Sequence, residues 1–562
     1  MKNHTSEDTT ANGTMALATC ATVVALAALF ARIFIGGDVP HVLADEYAYA
    51  AQAKALWSNQ QPGPFVAQSG NWLYIFLQSI SFAYPDNFLT ISRVINALSV
   101  LSAGGALFFT FRRSTNDLLT GLIALVGVAT FGASHARLFM PEAMQFAVTI
   151  FLICAFYKFG LAPSGIRASL LGVLLGIGGM IKIHMFFFAP CILIGIGLVV
   201  FIHRSLWRNF LTLAIPFLIS FLASAYVIRW GISGNRDMNL LGSFYGGIAE
   251  HNQTSLAKFS MYWYVFKRHI LTLLLAFPLT IALSAMAIAG LRRSPSSINV
   301  IRCTLIVAQL GIIGMLLVTA IFTVDTAGTG PYESYTRIHG RYYEHYLIIT
   351  LIISSIYAGN FLKEIEVKYR ATLLLVAGIM LIFAFSATRN FGWQNPTDFI
   401  AAFGLYWIPG ARAVALVMYI SAALALLLRP NMASFAAILV AVISLAFPAL
   451  AYDRFLIRAP ISDTDKAAKL ASDAMLGTKE NVEIISYQTD AEIYRAAFHL
   501  LNQPSTMMVT SSIKDQQTAC NLVTSPQASW YLVIYPATPI HCGGANDIAE
   551  FGHVAVYSAH PL

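Results

Sequence analysis

The stretch ASLLGVLLGIGGMIKIHMFFFAPCILIGIGLVV, residues 168–200, decides the class of the chain. Two apolar runs stand back to back, interrupted only by Lys182-Ile183-His184. A bilayer core takes about 20 predominantly apolar helical residues, so runs near that length with so few charges read as membrane spans. The two together read as a membrane hairpin with a short polar break. Working outward from this hairpin (168–182 and 184–202), further spans are predicted at 15–36, 88–111, 118–134, 141–158, 210–229, 269–290, 303–324, 343–360, 371–388, 411–428 and 432–452, making thirteen. The first is too long for a signal-peptide core and lacks a basic leading segment, so it is read as retained. Composition agrees: 57% of the 562 residues are hydrophobic and only 11% are charged. Soluble domains carry roughly 25% charged residues. The excess of Lys and Arg over Asp and Glu, 35 against 27, comes without a basic tract or an aromatic-interleaved patch, and nucleic acid is excluded as a partner.

In a membrane protein, basic excess marks the connections that face the cytoplasm. Arg112/Arg113, Lys158/Arg167, Arg204/Arg208, Arg292/Arg293/Arg302, Lys363/Lys368/Arg370 and Arg429 fall on compact alternate loops. The opposite loops are longer and also hold basic residues, so the bias is one of density. This orientation puts the N-terminus inside and the loops 37–87, 230–268, 325–342 and 389–410 outside, with the tail after Tyr452. The expected architecture is therefore a polytopic α-helical membrane region, residues 1–452, followed by a small α/β extracytoplasmic domain, residues 453–562. In that tail, strand-like runs at 482–486, 506–510 and 530–535 alternate with helical patterns at 490–501 and 514–523. Cys520 and Cys542 lie there and can pair if the tail is outside the cytoplasm, whereas Cys20, Cys154, Cys191 and Cys303 sit in or beside apolar runs.

Charged groups at membrane depth are costly and mark functional candidates. An acidic pair, Asp45-Glu46, opens the alanine-rich helical stretch of residues 37–57. It has two readings: carboxylates complementing a helix N-terminus, or Asp45 held at the surface as a base or metal ligand. Asn71-Trp72-Leu73-Tyr74 and Arg93-Val94-Ile95-Asn96 follow, and then Ser134 to Gln145, which puts Glu142 at the outer start of the fourth span. Lys182 and His184 share that side, as do Arg337 and Arg341 of the segment Arg337-Ile338-His339-Gly340-Arg341-Tyr342-Tyr343. Each has a plainer reading: Glu142 as a helix-starting residue after Pro141, Lys182 and His184 wetting a turn, and the arginines anchoring a span by snorkelling. Most of the aromatic residues on this side fit an interfacial belt.

In order and in common side, these motifs resemble the polytopic GT-C glycosyltransferases, the superfamily of the protein O-mannosyltransferases and the bacterial lipid A aminoarabinose transferases. The matching features are the Asp45-Glu46 pair in the first external loop, the acidic Glu142, the lysine-containing break at Lys182, the Gly340-Arg341-Tyr342 segment and the soluble domain after the last span. Where many members carry a proline-rich Leu-Tyr segment this chain has Asn71-Trp72-Leu73-Tyr74, and no proline follows its Gly-Arg-Tyr. The resemblance implies an inner-membrane enzyme of a bacterium that transfers a sugar from a polyprenyl-phosphate donor, with inversion, to a lipid, polysaccharide or protein acceptor of the envelope. Such chemistry needs a carboxylate to deprotonate the acceptor hydroxyl and cations for the departing phosphate. Asp45, Glu46 and Glu142 are the catalytic candidates, and Lys182, His184, Arg337 and Arg341 the candidates for the donor phosphate. Asp45 and Glu142 are also able to share a divalent metal, the one cofactor considered. The competing classes are a transporter or lipid-linked glycan flippase, against which no internal repeat is evident, and a glycan ligase or polymerase. Membrane lipids are partners in every case.

Overall fold

A computed structural model describes residues 19–20, 22–35, 37, 39–60, 70–111, 118–204, 207–234, 256–289, 291, 296–328, 334–387, 398–400, 410–428, 447–458, 461–475, 481–486, 491–502, 507–509, 516–524, 528–535, 542 and 546–558. The membrane region runs α1 (Thr22–Ile33), α2 (Leu43–Trp57), α3 (Trp72–Ser79), α4 (Phe88–Phe111), α5 (Leu118–Ala136), α6 (Glu142–Leu161), α7 (Gly165–Ile181), α8 (Ala189–Ile202), α9 (Trp207–Ser233), α10 (Leu256–Ala276), α11 (Pro278–Ala289), α12 (Ser297–Thr326), α13 (Glu344–Glu364), α14 (Val367–Ala387), α15 (Ala411–Leu428) and α16 (Phe447–Arg458). Among the described residues six helical segments are long and apolar enough to cross a bilayer, or seven if a bent pair counts as one span, and shorter apolar helices stand beside them.

Local chemistry explains the boundaries. Ser164 and Ser296 cap α7 and α12 by accepting backbone N–H bonds from Arg167 and Asn299. Helices α7 and α9 pack closely because Gly172 and Gly176 lie one turn apart on the facing surface: a Cβ at Gly172 would stand 2.2 Å from the Phe217 carbonyl oxygen. Small residues at this spacing let two backbones approach in a membrane, where dispersion replaces the hydrophobic drive. The span predicted at 269–290 is different from the expectation. A longer α10 ends at Ala276 and α11 starts at Pro278, with a bend of 91° between the two helices. Pro278 carries no N–H and occupies the first helical position, so the break falls where the ring is tolerated. Of the predicted span 432–452, only residues from Phe447 onward are described; residues 235–255 of the loop 230–268 and most of the loop 389–410 lie outside the described residues, and α10 begins inside the first of these loops.

The basic connections expected on the inner face close helix ends at one end of the bundle: Arg167 Nη1 donates to the carbonyls of Lys158 (3.0 Å) and Ala162 (2.8 Å), and Arg302 Nε to that of Ala287 (2.8 Å). Basic side chains suit exposed C-terminal carbonyls. At the opposite end the first loop, the 134–142 segment and the tail come together. Asp453 accepts from Arg32 of α1 (Nε 2.5 Å, Nη2 3.1 Å) and from Arg137 Nη2, all three side chains being buried. Asp453→Asn would leave two buried guanidinium groups facing a neutral amide. We expect a loss of about 3–5 kcal/mol of stability, the usual result of breaking a buried pair, read as a lower unfolding midpoint in detergent.

Helix α16 runs through the expected domain boundary at 452/453 and carries Asp453, so the junction is a continuous helix. Beyond it come α17 (Asp463–Ala474), β1 (Val482–Ser486), α18 (Ala491–His499), β2 (Met507–Val509), α19 (Gln516–Thr524), β3 (Trp530–Ile534), β4 (Asn546–Phe551) and β5 (Val554–Ser558). The sheet order is β2-β1-β3-β5-β4, with β1 parallel to β2 and β3, and β5 antiparallel to β3 and β4. The α/β reading holds, and a terminal hairpin, β4–β5, joins it. Cys520 and Cys542 form a disulfide. This domain seats α18 on α2: Tyr494 lies 5.9 Å from Tyr47 and Phe498 lies 5.4 Å from Phe88, centroid to centroid. It therefore covers the same end of the bundle as the first loop.

Candidate functional site

Residues distant in sequence form a line of alternating charge at that end. Asp45 sits in the first turn of α2, where unpaired backbone amides favour a carboxylate. Its Oδ2 accepts from Arg341 Nη2 at 2.6 Å, across 296 residues. Arg341 Nε stands 3.9 Å from Glu142 Oε1, and the same oxygen accepts from Lys182 Nζ at 2.5 Å. The ring of Tyr342 lies beneath both cations, 4.8 Å from Lys182 Nζ and 5.4 Å from the Arg341 guanidinium carbon. Arg341, Glu142 and Lys182 are buried, but the Asp45 side chain is 42% exposed, so the line opens to water at Asp45.

Each member is aimed by its surroundings. Helix α7 ends at Ile181, and Lys182 takes an extended backbone before the 3₁₀ turn Ile183–Phe188. Asn71, fully buried, holds this break: its Oδ1 accepts from Ile183 N (3.1 Å) and its Nδ2 donates to Tyr49 Oη (3.0 Å). Arg341 rides on the 3₁₀ turn Gly340–Tyr342, and Phe399 presses so closely on Gly340 that a Cβ there would meet its ring carbon at 2.3 Å. Next to Phe399, Asp398 grips Arg337 in a two-pronged pair, Nε to Oδ2 at 2.8 Å and Nη2 to Oδ1 at 3.1 Å. Pro141 precedes Glu142 at the start of α6.

Of the seven sequence candidates, four thus come together: Asp45, Arg341, Glu142 and Lys182. His184 packs against Tyr342 in a tilted ring contact, 4.7 Å between centroids, just behind the line. Arg337 is on the same segment as Arg341 but is engaged by Asp398. Glu46 is placed elsewhere: fully buried, it turns to the other side of α2 and accepts from three backbone amides, His41 (2.5 Å) and Val42 (2.7 Å) at Oε2 and Phe139 (2.8 Å) at Oε1. Asp398 was not singled out in the sequence, because one acidic residue in a polar loop carries no periodic signal. Nor were Glu344 and His345, which form a further polar layer with His135 (3.7 Å to Glu344) and Gln145 (3.4 Å to His345).

Partial desolvation by the surrounding protein opposes charge on Asp45, yet Arg341, with Arg337 and Lys182 beyond it, holds its carboxyl below the usual carboxylate range. For Arg341, burial is likewise outweighed by Tyr342, Asp45, Asp398 and Glu142, and its guanidinium is held well above its ordinary value. Asp45 and Glu142, the possible metal pair, each face a cation at hydrogen-bond distance. Among the described residues no three His, Cys, Asp or Glu side chains gather as metal ligands. Both carboxylates are thus engaged by cations, and paired cations backed by an aromatic ring suit an oxyanion.

No protein-family model matches the chain, and no curated protein matches it by sequence. Among solved structures the chain is similar to one described as "Crystal Structure of ArnT from Cupriavidus metallidurans in the apo state", with a TM-score of 0.57 and 14% identity over 96% of this chain and 98% of that one. The likeness spans the membrane region and the tail domain together. The chain therefore shares the fold of that structure over nearly its whole length.

Proposed function

We propose that the protein is an integral-membrane glycosyltransferase that moves a sugar from a polyprenyl-phosphate donor to an envelope acceptor, at the extracytoplasmic face of a bacterial inner membrane. The observation that carries this reading is the contact of Asp45 with Arg341, a part-exposed carboxylate against a buried cation line at one end of an apolar bundle. The isoprenoid would lie in the bilayer and the phosphate at headgroup depth. Arg341 and Lys182 receive the phosphate. Asp45 takes the proton of the acceptor hydroxyl, whose oxygen attacks the anomeric carbon from the face opposite the phosphate. The carbon–oxygen bond to phosphate breaks, the configuration inverts, and polyprenyl phosphate leaves with its charge met by the cations.

The ion pair between Asp45 and Arg341 gives this sequence of events an order. With Arg341 on it, Asp45 is a weak base. A donor phosphate competes for the guanidinium and draws it off, so that the carboxylate gains basicity when the sugar is in place. The Cys520–Cys542 disulfide supports an oxidising compartment for the tail, and the seating of that domain on α2 supports the same compartment for the site. The acceptor is a lipid, a polysaccharide or a protein.

Purified protein in lipid nanodiscs, given a synthetic polyprenyl-phosphate sugar and an envelope extract, is expected to release polyprenyl phosphate and label an extract component. Absence of both across a panel of hexosyl and pentosyl donors would contradict the proposal.

A further inference from the structure

Glu46 lies next in sequence to the proposed base, yet its carboxylate is spent on the backbone. Three N–H groups converge on it, two from the residues leading into α2 and one, Phe139, from 93 residues away. Phe139 ends a segment whose other backbone groups are held as closely. Asn96 Nδ2 donates to the carbonyls of Ala136 (3.4 Å) and Leu138 (2.9 Å), Arg93 Nε donates to that of Arg137 (2.9 Å), and Arg93 Nη1 donates to that of Gly37 (2.8 Å). Three residues beyond Phe139, α6 begins with Glu142. The helix bearing Asp45 and the segment delivering Glu142 are thus joined directly through a buried carboxylate, with Arg93 tying Gly37 to the same segment.

We infer that Glu46 is a positioning residue, which fixes the start of α2 against the 136–142 segment and so sets the distance from Asp45 to the Arg341–Glu142–Lys182 line. A carboxylate is required because it accepts at both oxygens. A glutamine offers one acceptor and turns an N–H₂ group toward at least one backbone N–H, leaving that amide unpaired in a dry site. An aspartate keeps the charge but is one methylene short of spanning His41 and Phe139 together. Displacing a reacting group by about 1 Å costs on the order of 10²-fold in rate. The effect belongs in the chemical step, since Glu46 touches none of the donor-binding cations.

This inference rests on the proposed transfer reaction for its catalytic consequence but not for the tie itself, and two measurements separate them. In hydrogen exchange on the intact protein, Glu46→Gln is expected to speed exchange together in peptides covering 38–46 and 136–142, while Asp45→Asn leaves the second unchanged. Unchanged exchange at 136–142 in Glu46→Gln would overturn the tie, whether or not any sugar is transferred. In the transfer assay, Glu46→Gln is expected to lower kcat about 10–100-fold with donor KM within about 3-fold, and to cost nothing further when added to Asp45→Asn. An equal loss on both backgrounds would show that Glu46 does not act through Asp45. Should Glu46→Gln fail to fold, Glu46→Asp carries both tests, with a smaller kcat loss expected and wild-type values counting against the inference.

Discussion

Replacing Asp45 with Asn is expected to lower sugar transfer about 10²–10⁴-fold while leaving the protein folded and able to hold its donor. The substitution is nearly isosteric and removes only the negative charge, so α2 keeps its position through Glu46 and Tyr47. A positioned general base contributes about 10²–10⁴ in rate, and a fall of that size in kcat is predicted. Donor KM should hold or drop, because Arg341 loses the carboxylate that competes with phosphate for it. The pH dependence follows from the same contact. With Asp45 held below the ordinary carboxylate range by Arg341, the free enzyme keeps its base ionised down to that range, and kcat/KM should fall only as the pH passes below it. The stabilising part of the pair has the same sign: present above the unfolded carboxylate pKa, and lost as the pH falls through the depressed folded value. Retained transfer by Asp45→Asn, measured on protein with an unchanged unfolding midpoint, would remove Asp45 from the chemistry.

The second large effect is expected at Arg341. Its guanidinium contacts Asp45 directly, lies near Glu142 and rests over Tyr342. Arg341→Ala removes the cation that links the open end of the site to its buried end, leaving Lys182 as the cation hydrogen-bonded to Glu142 among the described residues. Loss of one preorganised charge stabiliser costs about 10²–10³ in rate, and here the loss should fall on donor KM as well as kcat, since phosphate is bound in the ground state too. Arg341→Lys restores the charge without the planar fork, so recovery should be partial. An Arg341→Ala protein whose donor dependence matches wild type would return the residue to a span-anchoring role.

How far the sequence reaches is shown by particular residues. The apolar spans are legible because runs of bilayer length have few alternative solutions, and the charge density of the short loops puts Asp45, Glu142, Lys182 and Arg341 on one side. What the sequence left open is which carboxylate faces the cations. Asp45 and Glu46 are adjacent and chemically alike, and only the rotation of about 100° per helical residue separates them: one reaches Arg341, the other turns to the backbone of Phe139. Asp398 and Asn71 escaped assignment for a related reason. Their work is to hold Arg337 and the Lys182 break, respectively, through contacts 61 and 112 residues away in sequence, and no local pattern encodes such pairings. The bend at Phe277-Pro278 was readable from the proline, but the continuous apolar run around it suggested a single span. The β4–β5 hairpin went unassigned because its first strand, Asn546–Phe551, carries two acidic residues and lacks a continuous apolar run.

The central claim is that Asp45 and Arg341 divide the work on one lipid-borne sugar, with the carboxylate serving the acceptor and the guanidinium holding the phosphate. Equilibrium binding of a fluorescent polyprenyl phosphate to the wild-type, Asp45→Asn and Arg341→Ala proteins in nanodiscs tests it most directly. Wild type should bind saturably, Asp45→Asn as tightly or more tightly, and Arg341→Ala at least about tenfold more weakly, a difference of about 1.4 kcal/mol. Equal affinity in all three, or no saturable binding by the wild type, would contradict it.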